Sequence, residues 1–185
     1  MRLVLPIILV LLLSGCSAAE SHIGQAKETS APAASEPKKS VRGKLVKKIG
    51  DAVEYRSNKV NEAVVIRFVV TDIQVDPICS GEIARSPTNG HFVAFDISVE
   101  TFPGMIEVPG YEFSIAANNW KVIDSSGKTV SGTSDTNEAS RCFQGSDYLP
   151  WRMGPAEKAV GKVVFDVPTP SGVLVFEGFE WAYPA

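Results

Sequence analysis

Three observations predict an all-β domain, an antiparallel β-sandwich, over residues 45–185. Helical periodicity is absent from residue 45 onward, and runs of alternating apolar and polar residues recur instead. Clusters of Gly, Pro, Asn and Asp separate these runs at short intervals, which suits six to eight strands joined by turns. Two cysteines, Cys79 and Cys142, lie far apart in the chain and suit one long-range staple. A closed barrel is the rival architecture.

Taken in order, Val53 to Arg56 is a short edge strand. Glu62 to Asp76 is long and β-branched, but its apolar phase slips. Val64, Ile66 and Phe68 share one parity, whereas Val69, Ile73 and Val75 share the other, so a bulge or a change of sheet is expected near Phe68 to Thr71. His91 to Glu100 is the clearest strand: Val93, Phe95, Ile97 and Val99 face inward, with Ala94, Asp96, Ser98 and Glu100 opposite. Tyr111 to Ile123 is a strand region broken at Asn118-Asn119, and it runs into the turn Asp124-Ser125-Ser126-Gly127. Ala159 to Val167 alternates again, with Val163, Phe165 and Val167 inward and Lys162 and Asp166 outward, until Pro168 and Pro170 stop the ladder. Gly161, inside that strand, marks a bulge or the close approach of a neighbouring backbone or ring. A second slip near Gly178 separates Leu174 and Phe176 from Phe179, Trp181 and Tyr183.

The N-terminus reads as an address. Arg2 precedes an uncharged, Leu-rich run from Leu3 to Leu13, too short to span a bilayer, and Leu13-Ser14-Gly15-Cys16 forms a lipobox-like cleavage site. Residues 1–15 are therefore expected to be a lipoprotein signal peptide, and Cys16 the lipidated residue, carrying palmitate-type acyl chains at the extracytoplasmic face of the cell membrane. Two or more chains are needed for durable anchoring. Residues 16–44 are rich in Ala, Ser, Pro, Glu and Lys with few large apolar groups, the composition of a disordered tether. Such a coil reaches about 30 Å.

Charge and cysteine usage narrow the partners. Residues 45–185 hold 12 Lys and Arg against 18 Asp and Glu. With no basic cluster to neutralise phosphates, nucleic acid is excluded as a partner. Outside the cytoplasm Cys79 and Cys142 are expected to pair, closing a loop of about 63 residues and contributing about 4 kcal/mol by the chain-entropy model. A redox-active pair has neither the C-x-x-C spacing nor a neighbouring histidine; two free buried thiols are the other alternative.

Three stretches carry a resemblance. They are Phe92-Val93-Ala94-Phe95-Asp96-Ile97-Ser98-Val99, the run from Trp120 through Asp124-Ser125-Ser126-Gly127 to Lys128, and Leu149-Pro150 followed by Met153-Gly154-Pro155 through Phe165-Asp166-Val167-Pro168. Together they resemble a family of immunoglobulin-like domains, of unknown function, in lipoproteins of Gram-positive bacteria, especially actinobacteria, related in fold to a secreted mycobacterial immunogenic protein. The resemblance covers roughly residues 46–183. It implies an immunoglobulin-like β-sandwich outside the cell and brings no catalytic residues with it.

Catalytic and metal chemistry find little purchase. The two histidines are His22, in the tether, and His91, at a strand entrance, so a His-rich metal site is impossible and a Ser-His-Asp triad has only His91 to use. No nucleophile elbow, Walker loop or dinucleotide glycine motif occurs. Asp135, Asn137 and Glu138, with Asp124 upstream, lie in a polar loop whose spacing matches no complete calcium motif. Aromatic and apolar residues are the better recognition elements: Tyr148, Trp151 and Trp181 as an anchor patch, and Met105 with Ile106 in the loop Phe102 to Pro109. Their alternative role is core filling. The expectation is a non-enzymatic envelope lipoprotein, without cofactor or metal, that binds an envelope or host protein partner; the alternative is a carrier or sensor of a small apolar ligand held in the sandwich. Changing Cys16 to Ala should move the protein from the detergent phase to the aqueous phase in detergent partitioning, and unchanged partitioning would rule lipidation out.

Overall fold

Strand alternation gives this chain two layers to bury, and the computed structural model, which describes residues 38–107 and 112–184, packs them against each other as two four-stranded sheets. The strands are β1 (Leu45–Val46), β2 (Ala52–Ser57), β3 (Ala63–Val75), β4 (His91–Thr101), β5 (Lys121–Asp124), β6 (Lys158–Val167), β7 (Gly172–Phe176) and β8 (Phe179–Tyr183). One sheet has the order β1-β8-β7-β5 and the other β2-β3-β4-β6. Helical structure among the described residues is confined to short 3-10 turns. The signal segment, Cys16, the tether up to residue 37, and Val108, Pro109 and Tyr111 lie outside the described residues.

The phase slip in β3 is a bulge. Val70 pairs with Ile97 and Asp72 with Asp96, leaving Thr71 as the extra residue, and its hydroxyl donates to the Asp96 carbonyl at 3.1 Å. Ile66, Phe68 and Val70 thus face the core before the bulge, and Ile73 and Val75 after it. A second register break, between Tyr55 and Arg56 of β2, places Val65 as an extra residue and accounts for Val65 and Ile66 both being buried. In β4 and β6 the inward sets are those the alternation predicts, and β6 stops at Val167 before Pro168.

Between the sheets the core is a continuous cluster of rings. Tyr55, Phe68, Phe95, Phe113, Trp120, Phe165, Phe176, Phe179 and Trp181 meet at centroid distances from 4.9 to 6.5 Å, mostly tilted or edge-on. The slip near Gly178 is the turn of a tight hairpin: Phe176 pairs with Phe179 across Glu177-Gly178, and Glu177 takes a φ of 49°. Residues 38–44, expected to belong to the tether, make backbone contacts with the domain. Val46 donates to the Lys38 carbonyl at 2.8 Å, Lys39 bridges to Leu45, and β1 adds in parallel to β8.

The outer face of the β2-β3-β4-β6 sheet holds a second, smaller core. Phe92, Ala94 and Val164 project there and are covered by Ala139, Cys142 and Phe143. Cys79 and Cys142 are bonded, fastening the loop 76–90 to the loop 125–157 over these side chains. Arg42 supplies a second fastening. Its guanidinium forks onto both Glu180 carboxylate oxygens at 3.0 Å, and Glu180 is only 4 % exposed. Arg42→Ala leaves that carboxylate buried without its cation, so urea unfolding should show a loss of about 2–4 kcal/mol. Adding Glu180→Leu should recover much of the loss, and a single variant within about 0.5 kcal/mol of the parent would refute the fastening.

Candidate functional site

A groove forms where β6 meets the segment that follows the disulfide. Gly161 makes it possible. A Cβ built there would sit 2.6 Å from the Leu149 nitrogen and 2.7 Å from the Tyr148 carbonyl carbon, so only glycine lets this backbone lie against the strand. Tyr148 forms a parallel bridge with Lys162, and the Leu149 N–H donates to the Lys162 carbonyl at 3.1 Å. Pro150 then turns the chain away, and the opening left beside β6 is a cavity of about 200 Å³.

Its walls come from both layers. Ala116 and Ala117 close the side toward the main core, while Asp135, Ser140 and Tyr148 close the side toward the disulfide-bonded loops. Leu149, Pro150 and Trp151 form the rim, and Lys162, Val163 and Val164 the floor. Trp151 is 57 % exposed, an unusual placement for an indole. Two wider and more open depressions, near Cys79 and near Glu112, present no exposed aromatic ring.

Tyr148 is fixed rather than adaptable. Its hydroxyl donates to the Ala139 carbonyl at 2.6 Å and accepts from the Phe143 N–H at 3.1 Å, pinning the loop that carries Cys142. Burial pushes its phenol above the ordinary value, while the bond from Phe143 pulls the other way, so the ring is neutral at physiological pH. Lys162 pairs with Asp96 across the strands and lies 5.0 Å from the Phe143 ring centroid. Asp135 has no ion-pair partner among the described residues, so the groove lining carries one carboxylate without a paired cation.

The predicted recognition residues separate into three groups. Trp151 and Tyr148 come together at the groove. Trp181 does not: it is fully buried among Phe68, Phe95 and Trp120, because its parity in β8 points between the sheets. Met105 is likewise a core residue, tucked under the 3-10 turn Pro103–Glu107, and Trp181 and Met105 are corrected from contact residues to packing residues. Ile106, beside Met105, is 71 % exposed but stands apart from the groove lining.

The other chemical candidates are occupied locally. His91 Nδ1 lies 2.8 Å from an Asp76 carboxylate oxygen on the surface, and no serine hydroxyl bonds to His91 among the described residues. Asp124 accepts from Ser126 and Lys128 in its own turn, and the Ser126 hydroxyl and Lys128 N–H hold its carboxyl below the usual range. No group of three or more His, Cys, Asp or Glu side chains among the described residues is placed to hold a metal ion.

Asp166 points outward as its parity predicts, yet it is buried there. It is 1 % exposed, accepting from the Thr88 N–H at 2.7 Å, the Asn89 N–H at 2.8 Å and the Thr136 hydroxyl at 2.9 Å. It therefore ties both long loops to β6 beside the groove. The signal that was present is the donor-rich Thr88-Asn89 and Thr136, but nothing in strand periodicity says that loops fold back over a strand. Compared with protein-family models, curated proteins and solved structures, the chain matches none.

Proposed function

We propose that this protein is a lipid-anchored, extracytoplasmic lipoprotein whose immunoglobulin-like sandwich binds a protein partner at the β6 groove and performs no catalysis. The observation that carries the reading is Trp151, more than half exposed at the rim of a preformed cavity. Tryptophan is the residue most enriched among binding hot spots, and leaving one in water is costly unless something covers it. The lipobox ending at Cys16 and the polar, Ala-, Ser- and Pro-rich composition of the following segment support an anchor with reach.

The alternative, a carrier of a small apolar molecule between the sheets, is disfavoured by the ring cluster that fills that space. Hydrolysis through His91 lacks a nucleophile in contact with it among the described residues.

The test compares cross-linked envelopes from cells carrying the parent chain, Trp151→Ala and Val160→Ala, an exposed apolar control outside the groove. Recovery of a reproducible partner should fall about tenfold or more for Trp151→Ala at unchanged Tm, and remain at parent level for the control. Equal recovery by all three proteins would overturn the groove as the binding site.

A further inference from the structure

The groove floor has a polar character that its apolar rim conceals. β6 is an edge strand, and two of its residues already bond outward: the Lys162 carbonyl accepts from Leu149, and the Asp166 N–H donates to the Ser134 carbonyl at 2.8 Å. Backbone groups alternate sides along a strand, so the even-numbered residues of β6 direct theirs away from β4. The ladder agrees, because Asp96, paired with Lys162, turns its carbonyl toward Thr71 of β3.

Val164 lies midway between the two outward-bonded residues. Its N–H and C=O therefore point to the same open edge, where they make no hydrogen bond to any described residue. Val164 is nonetheless only 4 % exposed. The cavity touches Lys162, Val163 and Val164 in succession. Consecutive side chains point to opposite faces, so the surface these three share is the strand edge itself.

We propose that this edge receives an extended peptide segment of the protein partner, carrying a basic side chain, which pairs with the N–H and C=O of Val164. The proposal rests on the partner-binding reading above and names its recognition mode. A peptide unit is the chemistry that satisfies a donor and an acceptor side by side on a strand, and buried backbone groups left unpaired are costly. The stretch from Lys162 to Asp166 spans about 13 Å, room for a short extended piece and no more. Charge selects its side chain. Asp135 lines the groove unpaired, the groove's lysine is neutralised by Asp96, and the domain carries 12 basic against 18 acidic groups. An acidic segment is thus repelled and a basic one drawn in, with Leu149, Pro150 and Trp151 to cover its apolar neighbours.

The test uses the ¹⁵N-labelled mature chain and a blocked hexapeptide of alternating valine and lysine. In the free protein the Val164 amide should exchange about tenfold or more faster than those of Val163 and Phe165, whose N–H groups face β4. The peptide should slow that exchange and shift both the Val164 amide and the Trp151 indole resonance. A glutamate version should bind about fivefold more weakly, with the preference lost in Asp135→Asn. A version with alternate amides N-methylated should not bind. Val164 protected as well as its neighbours in the free chain, or a valine-lysine peptide that moves neither resonance, would overturn strand addition. Loss of envelope capture by Trp151→Ala with a silent Val164 would leave the partner-binding reading standing and refute the edge; binding at Val164 without any effect of Trp151 on capture would do the reverse.

Discussion

The disulfide between Cys79 and Cys142 is the constraint on which the outer half of this molecule depends. Residues 76–90 and 125–157 are long connections with little regular structure of their own. Connections of that length inside a compact domain are costly to order. The apolar surface they cover, Phe92, Ala94 and Val164 with Ala139, is small beside the ring-filled core between the sheets. A covalent link spanning 63 residues removes about 4 kcal/mol of chain entropy from the unfolded state, an amount comparable to what that small cluster supplies. Asp166 and Tyr148 then fix the loops in one arrangement, Asp166 through three hydrogen bonds and Tyr148 through two.

The groove follows from that arrangement. Once Cys142 is held, the chain from Gln144 to Tyr148 has to pass along β6, and Gly161 gives it the space to do so. Pro150 ends the contact, Trp151 is left in solvent, and the edge of β6 opens again before Ser134 closes it at Asp166. An edge strand is an aggregation hazard unless it is blunted. Here the stretch from Lys162 to Asp166 is covered on both sides of Val164, and the gap between those two contacts is short. That geometry suits selective pairing with a single segment and discourages open-ended sheet growth.

Much of the sandwich was legible from residue order because strand parity is a local property. The inward faces of β4 and β6, the bulge at Thr71, the edge position of Val53 to Arg56 and the disulfide pairing all follow from side-chain period or compartment. What could not be read is set by tertiary placement. Trp181 and Trp151 are the same residue type in equally aromatic company, yet one falls on the inward parity of β8 and the other on a segment leaving the sheet. Glu177-Gly178 reads as a phase slip or as a turn with equal ease, and only the pairing of Phe176 with Phe179 decides it. Likewise Asp166 has the period of a solvated residue, and its burial depends on two loops distant in sequence.

Amide hydrogen exchange measured segment by segment before and after reduction of the disulfide tests the central claim most directly. If the covalent link holds the outer loops and thereby the groove, reduction should strip protection from residues 76–90 and 133–149 while β3, β4, β7 and β8 stay protected by the ring-filled core. Loops that keep their protection after reduction, or sheets that lose theirs together with the loops, would contradict it.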